Sequence, residues 1–167
     1  LENYDRPEIA AKELPSDAYR DDVAANLAVA ERWVTEHPDT EFDFFLPPYS
    51  ILFWDKVIRE GRTEAVFAAI RQAGQTLLRY DNVKLYGYLM DAEIVTNLDN
   101  YCDYIHHSGG VCREILAMLQ REEGRLTEEN LEETLANWRE FVVHYDYDKF
   151  WDEGFWIQWN AEHAAAP

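Results

Sequence analysis

Two short apolar segments, separated by a long helical stretch, constrain the fold of this chain more than any other feature. Residues 42–46 (FDFFL) form a nearly continuous apolar run, as expected of a parallel strand that is covered on both faces. Pro47 and Pro48 end that run, because proline has no N–H to donate to a neighbouring strand. Residues 83–89 form a second run after a short polar turn, and about 35 residues with helical periodicity separate the two runs. This order predicts an α/β fold in which a helical crossover joins two parallel strands.

Five segments carry apolar residues three or four positions apart, the spacing that lets one face of a helix pack on a core. They are residues 16–37, 51–59, 63–80, 111–120 and 127–142. Ser16 or Asp17, Ser50 and Thr127 lie at the start of three of them, and these residue types cap helix N-termini. Gly61 is expected to end the second helix. The residues predicted to point inward in the last two helices are Ile115, Leu116, Leu119, Leu131, Leu135, Trp138 and Val142.

The charge balance and the hydropathy of the chain limit its partners. With 167 residues the chain is expected to form one domain, and its 33 acidic and 15 basic side chains give a formal net charge of −18. A field of this sign repels phosphate backbones, so we predict no nucleic-acid partner. No apolar run approaches the roughly 20 residues of a transmembrane helix, so we predict no membrane segment in this chain. The chain begins at Leu1 without methionine, which leaves an upstream signal or anchor open.

Polar and titratable side chains are concentrated in residues 97–107 (NLDNYCDYIHH), between the second predicted strand and the next helix. Loops in this position carry the functional residues of many α/β proteins. Asp103 and His106 form an Asp-x-x-His sequence, and this spacing lets a carboxylate orient an imidazole one turn later. Such a pair can serve as the base and the orienting group of a Ser-His-Asp relay. The same residues also fit a histidine bonded to a backbone carbonyl and an aspartate that caps a turn.

An ordered set of four motifs resembles the C-terminal half of the SGNH (GDSL-like) hydrolase family. The motifs are FFLPPYS at residues 44–50, YDNVKL at 80–85, IVTNLDNY at 94–101 and DYIH at 103–106. Members of this family are bacterial cell-envelope proteins, distantly similar to the D-alanyl transfer proteins of teichoic acid synthesis. The resemblance implies a partial three-layer α/β/α domain, flavodoxin-like and SGNH-type, with few parallel strands and mostly helices. It also implies a nucleophilic serine in a Gly-x-Ser turn near the N-terminal end of the domain.

No turn of that kind precedes Ser50, so we predict that the chain is the C-terminal portion of a longer protein. The resemblance then implies that His106 is the general base and Asp103 its orienting carboxylate in an esterase or O-acyltransferase. Its substrate would be an acylated envelope glycan or a small acyl ester. The implied location is extracytoplasmic, in the cell envelope with a membrane-anchored parent protein, and the cytoplasm is the alternative.

Four further residues are predicted to contact the substrate. Tyr49 and Ser50 follow the first strand, at the edge where open α/β sheets bind their ligands. Tyr49 would stack on a sugar or an acyl group, whereas Ser50 also fits a helix cap. No Gly-x-Ser-x-Gly elbow surrounds Ser50 to mark it as a nucleophile. Asn97 and Asn100 are the candidate donors to an oxyanion.

A metal site in the same loop is the weaker alternative. The candidate ligands would be Asp99, Asp103, His106 and His107. Adjacent histidines rarely point the same way in an extended loop, so we predict no metal and no other cofactor.

The two cysteines, Cys102 and Cys112, flank the Asp-x-x-His sequence and leave two alternatives open. In a reducing cytosol they would be free thiols, and in an oxidising compartment a disulfide would close the loop between them.

The chain divides into a polar lead-in at residues 1–15, the SGNH-like domain at 16–148 and an aromatic-rich tail at 149–167. The tail would pack on the domain or form a surface for a partner. Two strands alone leave unpaired edges, which favours a homodimer. The rival function is a non-catalytic envelope assembly or glycan-binding domain, because a fold does not fix a function.

Overall fold

The computed structural model describes residues 4–163 and shows a mostly helical α/β fold. The α-helices in that range are α1 (Arg20–Glu36), α2 (Ile51–Arg59), α3 (Thr63–Leu77), α4 (Ala92–Val95), α5 (Gly109–Gln120), α6 (Leu131–His144) and α7 (Glu153–His163). The strands are β1 (Phe42–Phe45), β2 (Val83–Tyr86) and β3 (Arg125–Leu126). Short 3-10 helices lie at Tyr88–Met90, Leu98–Asn100 and Asp148–Trp151. In this part of the chain no helix is long and apolar enough to span a bilayer.

The sheet has the order β1-β2-β3 and mixed strand directions. β1 and β2 are parallel, with Phe42 opposite Val83, which confirms the predicted crossover. β3 pairs antiparallel with β2, with Leu85 opposite Leu126. The expectation that both parallel strands lie at an edge is therefore wrong for β2, which is central. A strand of two residues is too short to show an alternating pattern, so sequence periodicity could not reveal β3.

The two parallel strands differ in how much of their surface is covered. In β1 the half-buried Phe42 and Phe44 alternate with the exposed Asp43 and Phe45, so the expectation of two covered faces is wrong for this strand. In β2 that expectation holds better, because Leu85 and Tyr86 are buried although they point to opposite faces. Both strands end before the predicted limits.

Buried side chains form two clusters. Leu85 belongs to the larger one, which includes Trp54 of α2 and Leu135 of α6. Full burial of a leucine side chain stabilises the fold by about 1.5–3 kcal/mol relative to exposure. Tyr86 belongs to the smaller cluster, where the α5 residues Val111, Ile115 and Met118 pack.

The helix predictions hold best where a proline or glycine marks the helix end. α2 has the predicted bounds, and Gly61 follows it with φ +65°. A Cβ on Gly61 would lie 2.8 Å from the carbonyl oxygen of Lys12, so glycine is also required by this close approach. α1 ends at Glu36, one residue before the predicted limit, but it begins at Arg20 and neither Ser16 nor Asp17 caps it.

The last two predicted helices bury most of the expected residues. All four inward residues of α6 are buried, and the Thr127 hydroxyl accepts a hydrogen bond from the N–H of Asn130 at the start of that helix (3.3 Å). In α5 the prediction is wrong for Leu116, whose side chain is 62% exposed. Met118 is buried in its place, three positions after Ile115 on the same helical face.

Residues 4–15 of the lead-in segment form no helix or strand before the turn at residue 16, and the segment is bound along α2. Arg6 donates from Nε and Nη2 to the two carboxylate oxygens of Asp55 (2.9 and 3.1 Å). Further along, the backbone N–H of Ala10 donates to the carbonyl oxygen of Arg59 (2.7 Å). Asp55 is only 2% exposed, so this segment completes the hydrogen bonding of a buried carboxylate.

The aromatic tail partly packs on the domain. Phe150 is buried in the larger cluster, and Nε1 of Trp156 donates to its carbonyl oxygen (2.7 Å). Trp151 remains 43% exposed, with the guanidinium of Arg6 4.0 Å from its ring centre. Residues 164–167 lie outside the described part of the chain.

Candidate functional site

The Asp-x-x-His sequence lies in a small hairpin between α4 and α5. Tyr101 and His107 form an antiparallel bridge across it. The N–H of Cys102 donates to the carbonyl oxygen of His106 (2.8 Å), and the N–H of Ser108 donates to that of Asn100 (2.7 Å). The backbone therefore holds both arms of the hairpin, and Asp103 begins the turn between them.

The predicted contact between Asp103 and His106 is present. Oδ2 of Asp103 lies 2.7 Å from Nδ1 of His106. Oδ1 accepts the backbone N–H groups of Ile105 and His106, both at 2.7 Å. With Nδ1–H donating to the carboxylate, Nε2 is the unprotonated nitrogen of the neutral ring. The His106 side chain is 77% exposed, so Nε2 is open to a substrate.

Asp103 is held in its charged form. Its pKa falls from the ordinary value of 3.8 to about 2, first because the backbone N–H of His106 donates to the carboxylate. The His106 ring and the N–H of Ile105 add to the effect, and partial burial opposes it. The carboxylate therefore stays ionised at any pH where the imidazole could act as a base.

This lowered pKa predicts how the stability of the hairpin depends on pH. A carboxyl group with a lowered folded-state pKa stabilises the fold above its unfolded pKa and loses that effect as the pH falls through the folded value. We expect the contribution of Asp103 to be complete above about pH 4 and to disappear toward about pH 2. The measurement is the difference in unfolding free energy between the wild type and Asp103→Asn across this range, with an NMR titration of the Asp103 carboxyl carbon. A carboxyl midpoint at the ordinary value of 3.8 would contradict the geometry.

Two side-chain hydrogen bonds attach the hairpin to the segment between β1 and α2. The Tyr101 hydroxyl donates to the carbonyl oxygen of Pro48 (2.9 Å), and the Ser50 hydroxyl donates to that of Tyr104 (2.8 Å). The hairpin thus lies against the C-terminal end of β1, at the predicted edge of the sheet. The residues joined by these two bonds lie 53 and 54 positions apart in the chain, so no local sequence pattern predicts the contacts.

Ser50 differs from its predicted roles. It occupies the N-cap position of α2, but its side chain makes no capping hydrogen bond. It is fully buried and its hydroxyl is committed to Tyr104, so it is not available to a bound substrate. The local cap signal is overridden by this tertiary contact.

The other three predicted substrate contacts differ in availability. Tyr49 is half-buried and packs on Phe53, with ring centres 4.9 Å apart. Asn100 donates from Nδ2 to the carbonyl oxygen of Ile94 (3.0 Å), so its amide N–H group supports the loop. Asn97 uses only Oδ1, which accepts the N–H of Asp99 (3.1 Å). Among residues 4–163 its Nδ2 has no protein acceptor and can serve an external oxygen.

The four side chains of the metal alternative do not converge. His107 turns away from the Asp103–His106 pair, and its Nδ1 lies 3.6 Å from Sγ of Cys112. Over the described range no three His, Cys, Asp or Glu side chains are grouped so that they could hold a metal ion. Cys102 and Cys112 are both free thiols, so the disulfide alternative is not formed in this structure.

Comparison of the chain with protein-family models, with curated proteins and with solved structures found no match. The site is therefore described by its own geometry. A mostly helical α/β domain carries an exposed histidine, oriented by a carboxylate, beside the C-terminal end of a parallel strand.

Proposed function

We propose that this chain supplies the general base and the orienting carboxylate of an SGNH-like serine esterase or O-acyltransferase. The observation that carries the proposal is the 2.7 Å contact between Asp103 and Nδ1 of His106, which leaves Nε2 exposed. The substrate class is an acyl ester on a glycan of the bacterial envelope, as the resemblance to the SGNH family implies. The nucleophilic serine would come from a segment outside these 167 residues, because they contain no Gly-x-Ser turn and Ser50 is buried and occupied.

The chemistry follows from the orientation of the imidazole. As the serine oxygen attacks the ester carbonyl, Nε2 of His106 takes the hydroxyl proton and then returns it to the leaving alkoxide. Asp103 keeps the ring in the required tautomer and stabilises the imidazolium that forms. Water or a glycan hydroxyl then releases the acyl group from the serine by the same steps in reverse order.

Tyr49 and Asn97 remain the substrate-contacting candidates on this side of the sheet. Tyr49 follows Pro48, whose carbonyl oxygen binds the hairpin, and its ring is partly exposed for stacking on a sugar or an acyl chain. The free Nδ2 of Asn97 is a donor for an ester or oxyanion oxygen.

The complete domain in this proposal is a three-layer, flavodoxin-like α/β/α fold in the cell envelope. Two buried clusters on opposite faces of β2 support this arrangement. The cluster of Leu85 includes residues of α6, and the cluster of Tyr86 includes residues of α5. Further parallel strands would pair with the free edge of β1.

The test is hydrolysis of p-nitrophenyl acetate, and release of acetate from acetylated polysaccharide, by the complete protein with and without His106. A complete protein that binds the polysaccharide but leaves the ester intact would instead support the glycan-binding alternative. The partly exposed Trp151 is the observation that favours that alternative.

The free edge of β1 predicts that the 167-residue chain associates with itself. The N–H of Phe42 donates to Asn82, just before β2, and that of Leu46 donates to Tyr86, so the N–H groups of Asp43 and Phe45 point to the unpaired side. Two copies can pair these edges around a two-fold axis. Asp43→Pro removes one outward donor from each copy, and we expect it to weaken the dimer by about tenfold or more. Sedimentation equilibrium measures the change, and Asp43→Asn is the matched control. A wild-type chain that stays monomeric at high concentration contradicts the prediction.

A further inference from the structure

Cys112 and His107 form a thiol–imidazole pair that is separate from Asp103 and His106. Sγ of Cys112 lies 3.6 Å from Nδ1 of His107, within the range of an S–H···N hydrogen bond. His107 is held by its bridge to Tyr101. Cys112 is in the first turns of α5, where its N–H donates to the carbonyl oxygen of Ser108 (3.2 Å). The pair therefore has fixed backbone on both sides.

The turn of α5 that contains Cys112 carries an arginine and no acidic side chain, although the chain as a whole is strongly acidic. The first turn of α5 contains no acidic residue. The Arg113 guanidinium lies over that turn, 3.9 Å from the point where a Cβ on Gly109 would stand and 4.0 Å from that on Gly110. A helix N-terminus and a cation on the same turn both favour an approaching anion.

Small molecules can reach this thiol. Cys112 is exposed, so its thiol is open to solvent. Cys102 is also exposed but has no partner for its thiol within the described residues, so the chain contains its own reference cysteine.

We propose that Cys112 is a modification site, where a small negatively charged disulfide forms a mixed disulfide with the protein. The thiol proton passes to Nδ1 of His107, and the thiolate attacks one sulfur of the disulfide. A new S–S bond forms as the original one breaks, and the departing thiolate takes the proton from His107. The incoming disulfide is itself the oxidant, since one of its sulfurs leaves as a thiol. The site does not depend on a catalytic role for His106.

The test compares two single-thiol proteins at one neutral pH. Cys102→Ser retains only Cys112, and Cys112→Ser retains only Cys102. The probes are dithiobis(nitrobenzoate), which is anionic, and dithiodipyridine, which is uncharged, and both release a coloured thiol. We expect Cys112 to react with the anionic probe about tenfold faster than Cys102, because it has a base and local positive charge. Equal rates at the two cysteines overturn the proposal.

Two further variants, made in the Cys102→Ser protein, separate the base from the charge. His107→Gln should slow both probes by about tenfold, because the thiol loses its proton acceptor. Arg113→Gln should slow the anionic probe by about threefold and leave the uncharged probe unchanged. An unchanged rate in a folded His107→Gln protein also overturns the proposal. If that variant does not fold, the comparison of the two cysteines still decides, because both proteins retain His107.

Discussion

Replacing His106 by alanine in the complete protein should lower the rate of ester hydrolysis by about 10⁴-fold, because the serine loses the base that takes its proton. The imidazole is the exposed, oriented group of the site, and no other described histidine contacts a carboxylate from this hairpin. Hydrolysis of p-nitrophenyl acetate measures the rate. His144→Ala is the matched control, since that ring is bonded to Glu140 on α6 and should leave the rate unchanged.

Asp103→Asn should also lower the rate by a large factor, up to about 10⁴-fold, because an amide permits the wrong tautomer of His106. The loss of rate in the double variant with His106→Ala should be smaller than the product of the two single losses, since the two residues act as a unit. The 167-residue chain should show no hydrolysis above background, because in this proposal it lacks the nucleophile. A complete protein in which His106→Ala is as active as the wild type would refute the assignment.

Arg6→Ala should lower the free energy of unfolding by about 3 kcal/mol, because it leaves a buried carboxylate without its cation. Arg6 binds Asp55 through two N–H groups, and the Tyr4 hydroxyl supplies a third donor at 3.0 Å. Asp55 is 2% exposed in the folded protein, so these donors rather than water satisfy its carboxylate. Urea unfolding with a constant m-value measures the change.

The same arginine provides its own control. Its Nη1 also donates to Asp148, whose side chain is 86% exposed. Asp148→Asn removes this second ion pair. It should lower the free energy of unfolding by no more than about 0.5 kcal/mol, because exposed ion pairs contribute little. Equal losses from Arg6→Ala and Asp148→Asn would mean that burial of Asp55 does not govern the contact.

The parts of the fold that the sequence predicts are those set by short-range backbone restrictions. α2 has the predicted bounds because two prolines precede it and Gly61 follows it. The Asp103–His106 contact is predictable for the same reason, since only three positions separate the two residues and the aspartate turn brings them together. The pairing of β1 with β2 follows from the length of helix between two apolar runs.

The parts that the sequence misses depend on contacts between distant residues. Ser50 carries a cap signal, but its hydroxyl binds Tyr104 on the hairpin instead. Leu116 has a helical spacing that fits the core, but α5 presents Met118 to the sheet and leaves Leu116 in solvent. β3 forms because Leu126 pairs with Leu85, and a strand of two residues is too short for its sequence to predict that pairing. In each case the local preference is weaker than the packing that overrides it.

The bridge between Tyr101 and His107 has a consequence for the two adjacent histidines. Neighbouring residues in an extended strand face opposite sides, so His106 meets Asp103 while His107 meets Cys112. The alternation of side-chain direction along the hairpin therefore decides which imidazole meets the carboxylate and which meets the thiol. The two imidazoles do not differ chemically. Loss of a single residue from the turn after Asp103 would move His107 into the position of His106. The length of this turn therefore decides which of the two histidines meets Asp103.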